Sequence, residues 1–375
     1  MDTVAMRMRG TISTRAYVNL LLALIGVGVA LLILEIGLRL TRDSSSTDIP
    51  LHVTCGDCPY LYELNPDHPD VRERELLTDT SPERLRSTFN VMVLGDSVAY
   101  GVGVPFEDAF PQRLEDLLAS QYDDVAVLNS AVSGYTPYNQ LQQYVSRDRD
   151  LPVDLVVVAF AMNDIVDPEL HWNYTEDAIE NIPMEAYPNF RYHEEHVVPI
   201  LEARRQQREQ GSTELGRLVR SAISVKNITD HDASYTVVDG RRWPTYITGE
   251  DTISIEVLTD YDSPEWMWLR GMYDRLADEA AKDGARLVIV VLPLAYQMDA
   301  EYPFLPQSLF ARYCEERSLM CLDLLPAFRE RGGEALFIGE RLGYIDIWHL
   351  SERGHDVAAA ELSAFLEQHD LMGRR

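Results

Sequence analysis

The sequence predicts an α/β fold built on a central parallel sheet, and two patterns carry that prediction. Short apolar runs recur at residues 90–94 (NVMVL), 125–128, 155–160 (LVVVAF), 286–292 (RLVIVVL) and 320–324. Apolar side chains at helical spacing follow them, at 107–120 (Phe110, Leu114, Leu117, Leu118), 138–144, 264–282, 306–317 and 352–369. Runs that are apolar almost throughout, with no alternation, are the pattern of strands covered on both faces by helices. In such a sheet, ligands bind at the carboxyl ends of the strands.

Two regions stand outside this rhythm. Residues 39–89 are polar, with prolines at 50, 59, 66, 69 and 82, and read as a stalk or linker that packs partly on the domain it leads to. Residues 166–263 interrupt the alternation with His171-Trp172-Asn173-Tyr174, a charged helical stretch near 197–223 and a β-like stretch, SYTVVDGRRWPTYIT. A structureless loop of that length is uncommon, so the expectation is a folded insertion, cap or lid. Trp172 and Tyr174 are candidate substrate contacts, or else aromatic anchors of a small satellite core. Asn173 and Asn227 head glycosylation sequons.

The N-terminus predicts a membrane anchor. Residues 16–34 are 19 consecutive uncharged residues. As a helix they reach about 28 Å, close to the thickness of a bilayer core. A cleaved signal peptide is the rival, but EIGLRLTR follows where small residues are needed for cleavage. Arg7, Arg9 and Arg15 precede the span, and Arg39 and Arg42 follow it. That small bias favours a cytoplasmic N-terminus and an extracytoplasmic main domain, periplasmic or extracellular. The expected organisation is therefore a cytoplasmic segment 1–15, an anchor 16–38, a linker 39–89 and a main domain 90–370.

Composition is globular, 46% apolar and 25% charged. Acidic residues outnumber basic ones 61 to 33, for a net charge of −28. Nucleic-acid binding draws on Lys and Arg, so this balance argues against a nucleic-acid partner. The four cysteines fall in two local pairs, Cys55 with Cys58 and Cys314 with Cys321, which suits two disulfides in an exported domain. A four-cysteine zinc site and unpaired buried thiols are the alternatives.

Candidate chemistry sits where strands end. Gly95-Asp96-Ser97 closes the first run, and there Ser97 is a candidate nucleophile, or the triplet is a plain strand-to-helix turn with Ser97 or Asp96 as a helix cap. A serine needs a base and an orienting acid to be nucleophilic at neutral pH. Asp346-Ile347-Trp348-His349 offers both, at a spacing that lets the carboxylate reach the imidazole within one turn. A surface loop, or a metal-ligand pair with His355 nearby, are the other readings of that segment. Gly134 follows the second run and Asn163 the third. Either could donate to an oxyanion, and either could belong to an ordinary turn.

In this order, VLGDSVAYGVGV, NSAVSGY, AMND and DIWH resemble the four blocks of the SGNH, or GDSL-like, hydrolases. The resemblance covers residues 90–165 and 264–370. It implies a flavodoxin-like three-layer α/β/α fold and a Ser-His-Asp mechanism through Ser97, His349 and Asp346. It also implies an oxyanion hole from the Ser97 and Gly134 backbone N–H groups with the Asn163 amide, and no metal or organic cofactor. Val98 replaces the Leu that names the motif, and Ala161 stands where the third block usually begins with Gly. The G-x-S-x-G elbow of the α/β-hydrolases is missing around Ser97. The expected activity is hydrolysis of an acyl ester, O-acetyl included, on polysaccharide or lipid at the cell exterior. An acyltransferase using the same site and a non-catalytic glycan-binding module are the alternatives.

Overall fold

The structure, a computed structural model, describes residues 26–34, 36, 51–55, 58–69, 71, 85–166, 183–186, 235–244, 246–248, 251–252, 259–341 and 344–373. The chain forms two compact units, residues 1–48 with 207–224, and residues 49–206 with 225–375. In the first unit, residues 26–34 and 36 are helical and expose Val27, Val29, Leu31, Leu32, Ile33, Leu34 and Ile36. Among the described residues no helix is long and apolar enough to cross a membrane. Much of the expected span 16–38 lies outside those residues.

The second unit opens with a hairpin of β1 (His52–Thr54) and β2 (Tyr62–Leu64). The main sheet follows, from β3 (Phe89–Gly95), β4 (Val125–Asn129) and β5 (Leu155–Phe160). Two short antiparallel pairs come next, β6 (Tyr235–Val238) with β7 (Arg241–Pro244) and β8 (Tyr246–Thr248) with β9 (Asp251–Thr252). Strands β10 (Arg286–Val291) and β11 (Met320–Asp323) complete the main sheet, whose five strands run parallel in the order β11-β10-β5-β3-β4. Counting only these five in chain order, the arrangement is 2-1-3-4-5, that of flavodoxin-like sheets. The sheet is buried through β3, β4 and β5, which is why their sequences show no alternation.

The described α-helices of this unit are α1 (Ser97–Tyr100), α2 (Phe110–Ala119), α3 (Pro137–Gln143), α4 (Asn163–Val166), α5 (Pro264–Lys282), α6 (Gln307–Arg317), α7 (Leu325–Arg331) and α8 (Glu352–Gln368). From β3 to β4 the chain steps one way across the sheet, and from β4 to β5 it steps back. With right-handed crossovers that reversal sends α2 and α3 to opposite faces. Accordingly α2 packs with α8, and α3 packs with α5. The reversal also opens a crevice at the carboxyl ends of the neighbouring strands β3 and β5.

Hairpin β12 (Phe337–Arg341) and β13 (Tyr344–Leu350) stands outside the main sheet. Within the insertion, Asp239 and Gly240, both with positive φ, turn β6 into β7. That hairpin lies against residues 299–302: Tyr302 donates to the Pro244 carbonyl at 3.0 Å, and Arg241 pairs with Asp299 and Glu301. Within the β-like stretch expected at 234–248, residues 235–244 form the strand pair β6–β7 with its turn and residues 246–248 form β8, whose partner β9 follows at 251–252. Within the stretch 39–89, read as a linker that packs partly on the domain, residues 51–55 and 58–65 hold a hairpin joined to the main domain: Tyr135 donates to the Tyr62 carbonyl at 2.5 Å, and Asn139 to the Tyr60 carbonyl at 2.9 Å.

Candidate active site

Strand β3 ends at Gly95, a position where nothing larger fits. A Cβ on Gly95 would lie 2.7 Å from the Ala99 Cβ and 3.1 Å from the Ala159 carbonyl oxygen of β5. Asp96 then caps α1, its Oδ1 accepting the Val98 N–H at 2.9 Å. This places Ser97 as the first residue of a helix at the mouth of the crevice. Helix capping and a nucleophilic serine, alternatives in the sequence, coexist: Asp96 is the cap and Ser97 faces the histidine.

Ser97 Oγ lies 2.8 Å from His349 Nε2, and His349 Nδ1 lies 2.7 Å from Asp346 Oδ2. Asp346 is fully buried, and its other oxygen accepts the backbone N–H of His349 at 2.9 Å and of Trp348 at 3.3 Å. Burial pushes this carboxyl up, but the hydrogen bond and charge of His349 and those two N–H groups outweigh it, holding the pKa below the ordinary aspartate value. An ionised Asp346 fixes the proton on Nδ1 and leaves Nε2 free to accept from Ser97.

The carboxylate reaches the imidazole within one turn of chain, as the spacing allows, but it does so on a strand. Residues i and i+3 of a regular strand point to opposite faces. Here Phe337 pairs with Leu350 and Gly339 with Asp346, so two steps along β12 face four along β13. The surplus residues bulge, and the Asx-type turn formed on Asp346 brings its carboxylate under the imidazole.

Asn163 opens α4 at the end of β5. Its Nδ2 donates to Asp96 Oδ2 at 2.6 Å, and that oxygen also lies 3.3 Å from Ser97 Oγ. One amide hydrogen is therefore committed to Asp96 and the second remains for a ligand. Asp96 is wholly buried. Desolvation raises its pKa, opposed by the Asn163 and Val98 hydrogen bonds, the charge of His349 and the Ser97 hydroxyl. Asp164 closes the turn at Ala161, whose N–H donates to its Oδ2 at 3.2 Å. The loop therefore holds without the usual glycine.

Gly134 sits in the turn Val132–Ser133–Gly134–Tyr135, closed by Tyr135 N–H to the Val132 carbonyl at 3.0 Å. Its φ of +79° at the third position is the signature of a type II turn and the reason a glycine stands there. Val132 N–H donates to the Gly95 carbonyl at 3.2 Å, tying this turn to the strand that carries Ser97.

The structure thus brings Ser97, His349, Asp346 and Asn163 into one hydrogen-bonded group, with the Gly134 turn tethered beside it. Trp172 and Tyr174 lie outside the described residues. Cys55 is bonded to Cys58 and Cys314 to Cys321, so neither the zinc site nor free thiols apply. His355 is fully buried against Phe110, and its Nδ1 accepts the Phe110 N–H at 3.1 Å at the start of α2. That contact answers the metal-pair reading: His355 serves a helix end. Among the described residues no group of three His, Cys, Asp or Glu is placed to hold a metal.

A family model, the GDSL-like lipase/acylhydrolase family, matches residues 93–357. The chain belongs to this family. A curated arylesterase of Vibrio mimicus is 37% identical over 75 residues, which are 20% of this chain and 37% of the arylesterase. The chain therefore aligns with little more than a third of that relative. Among solved structures, the lipase Lip_vut3 from a goat rumen metagenome is 14% identical with a TM-score of 0.42, covering 74% of this chain and 97% of its own. The lipase/acylhydrolase of Enterococcus faecalis is 13% identical with a TM-score of 0.39, covering 75% and 97%. Within the GDSL-like frame, the serine of the G-D-S block is Ser97. The second use of its Asp96 leaves no mark in the sequence. In the sequence that residue reads as a turn or cap residue, and only the adjacency of β3 and β5 brings its carboxylate to Asn163.

Proposed function

We propose that the chain is a serine ester hydrolase of the cell exterior, with Ser97, His349 and Asp346 as its catalytic residues. The observation that carries this is the unbroken line from Ser97 Oγ to His349 Nε2 and from His349 Nδ1 to Asp346, at 2.8 and 2.7 Å. Ser97 attacks the ester carbonyl while His349 takes its proton, and Asp346 stabilises the imidazolium. The negative oxygen of the tetrahedral intermediate is received by the backbone N–H groups of Ser97 and Gly134 and the free hydrogen of the Asn163 amide. His349 then protonates the leaving alcohol, and water repeats the sequence on the acyl-enzyme. The substrate is an acyl ester, including O-acetyl, borne by polysaccharide or lipid.

The external site is supported by two disulfides, which persist in oxidising compartments, and by the uncharged stretch 16–34, of which the apolar side chains described between 27 and 34 are exposed. In this reading residues 16–38 anchor the enzyme with its N-terminus in the cytoplasm. Fractionation of cells expressing the whole chain tests it: we expect the protein in the membrane fraction, with the large unit degraded by protease added outside the cytoplasmic membrane.

Ser97→Ala tests the chemistry. We expect turnover of nitrophenyl esters to fall by a factor of about 10⁴ or more and labelling by a fluorophosphonate to disappear. Activity that survives this substitution would remove the assignment. A panel running from acetylated xylan to phospholipid, with added sugar acceptors, identifies the acyl group and separates hydrolysis from transfer.

A further inference from the structure

Tyr62 lies upstream of the segment that matches the family, yet it reaches the turn on which oxyanion binding depends. Its side chain is fully buried, and its hydroxyl donates to the carbonyl oxygen of Ser133 at 3.2 Å. That oxygen and the N–H of Gly134 belong to one peptide unit. In a planar trans peptide they point in opposite directions, so whatever fixes the carbonyl fixes the N–H.

The constraint matters because this unit is the central peptide of a β-turn. Type I and type II turns differ chiefly by a flip of the central peptide, which reverses its C=O and N–H. The closing hydrogen bond from Tyr135 to Val132 is made in either case, so it does not select the orientation. Glycine at position 134 permits the flip at little cost. Glycine there favours this orientation without locking it, and the Tyr62 hydroxyl is placed to hold it from outside the turn.

The surroundings of Tyr62 are built for that purpose. Its ring is met edge-on by His52, with centroids 5.1 Å apart, and by Tyr135 at 5.0 Å. Its own carbonyl receives the Tyr135 hydroxyl at 2.5 Å. The preceding residue, Leu61, has a φ of +78°, a conformation that a branched side chain adopts only when neighbouring structure enforces it. The Cys55–Cys58 disulfide sits in the bend that leads to it.

We propose that Tyr62 is a positioning residue for ester hydrolysis, holding the Ser133–Gly134 peptide so that the Gly134 N–H faces the oxyanion. It also polarises that N–H, since a hydrogen bond accepted at the carbonyl strengthens the donor at the other end of the peptide. The proposal rests on the oxyanion assignment made above. It adds a residue from the N-terminal hairpin to a site otherwise drawn from the four family blocks.

The experiment compares the full chain with Tyr62→Phe, and with 4-aminophenylalanine placed at position 62, which keeps the ring and supplies a weaker donor. The readouts are kcat and KM on a nitrophenyl ester, the rate of fluorophosphonate labelling, and the thermal midpoint. We expect kcat to fall about tenfold in Tyr62→Phe, with KM within twofold and labelling slowed in parallel. The amino variant falls between Tyr62→Phe and the wild type, and it carries the comparison if Tyr62→Phe does not fold. A folded variant that keeps the wild-type kcat and labelling rate, even with a lowered thermal midpoint, overturns the proposal while leaving the site intact. Wild-type activity that Ser97→Ala does not remove overturns the site and this proposal together.

Discussion

Asp96 and Asp346 are both buried aspartates, but their carboxyls respond to burial in opposite ways. Asp346 is held below the ordinary value of about 3.8 by its partners, so its contribution to stability is fully present above that pH. The contribution is lost as pH falls through the depressed value. We therefore expect Asp346→Asn to lower the thermal midpoint at neutral pH, with the difference from wild type closing below about pH 3.8, as melts across pH 3–7 would show. Asp96 is shifted upward, chiefly by desolvation, so its ionisation costs stability as pH rises from the unfolded value through the folded one. In return its Oδ2 orients the Asn163 amide and lies beside the Ser97 hydroxyl. Asp96→Asn removes the charge but sets a second NH₂ group against that of Asn163, unless one amide flips. We expect kcat/KM to drop about 10–100-fold while the thermal midpoint holds or rises, since active-site groups are commonly kept at a cost in stability.

At the scale of elements, two glycines separate fold from function. Gly354 lies in the first turn of α8, and a Cβ there would come within 2.1 Å of the Leu336 backbone carbonyl. A backbone oxygen cannot rotate away, so Gly354→Ala should destabilise by about 3 kcal/mol or more, read by urea unfolding. Gly95→Ala instead presses on the Ala99 side chain and on β5 at the turn that presents Ser97. We expect a smaller loss of stability, about 1–3 kcal/mol, and a larger loss of kcat than for Gly354→Ala. The strands and long helices were legible because burial on both faces and helical periodicity leave marks on consecutive residues. The β12–β13 bulge was not, because it arises from pairing with a second strand. The spacing of Asp346 and His349 suggested that they could meet, but not that a register shift would bring them together.

For the whole molecule, the family match begins at residue 93, whereas the folded unit begins near residue 49. Hairpin β1–β2 lies between these points and accepts hydrogen bonds from the buried Tyr135 and Asn139 through its Tyr62 and Tyr60 carbonyls. A chain starting at residue 49 should retain ester turnover and be recovered without detergent. A chain starting at residue 85 strands those donors and loses Tyr62, each unsatisfied buried group costing about 1–3 kcal/mol. We expect it to melt at lower temperature and turn over ester more slowly, which melting curves and initial rates on the two truncations would establish.

By itself the sequence determined the class of fold and the set of residues around the nucleophile. Strand burial, helix spacing and the order of Ser97, Gly134, Asn163, Asp346 and His349 are properties of short segments. Tertiary structure alone decided how those residues are held. Ser97 meets a histidine 252 residues away, Asp96 grips an amide 67 residues away, and Tyr62 reaches a carbonyl 71 residues away. Such contacts leave no local pattern, because they depend on which strands become neighbours. Here the reversal of the chain between β4 and β5 made β3 and β5 adjacent, and that adjacency gave the helix cap Asp96 a second role, joining Ser97 to Asn163.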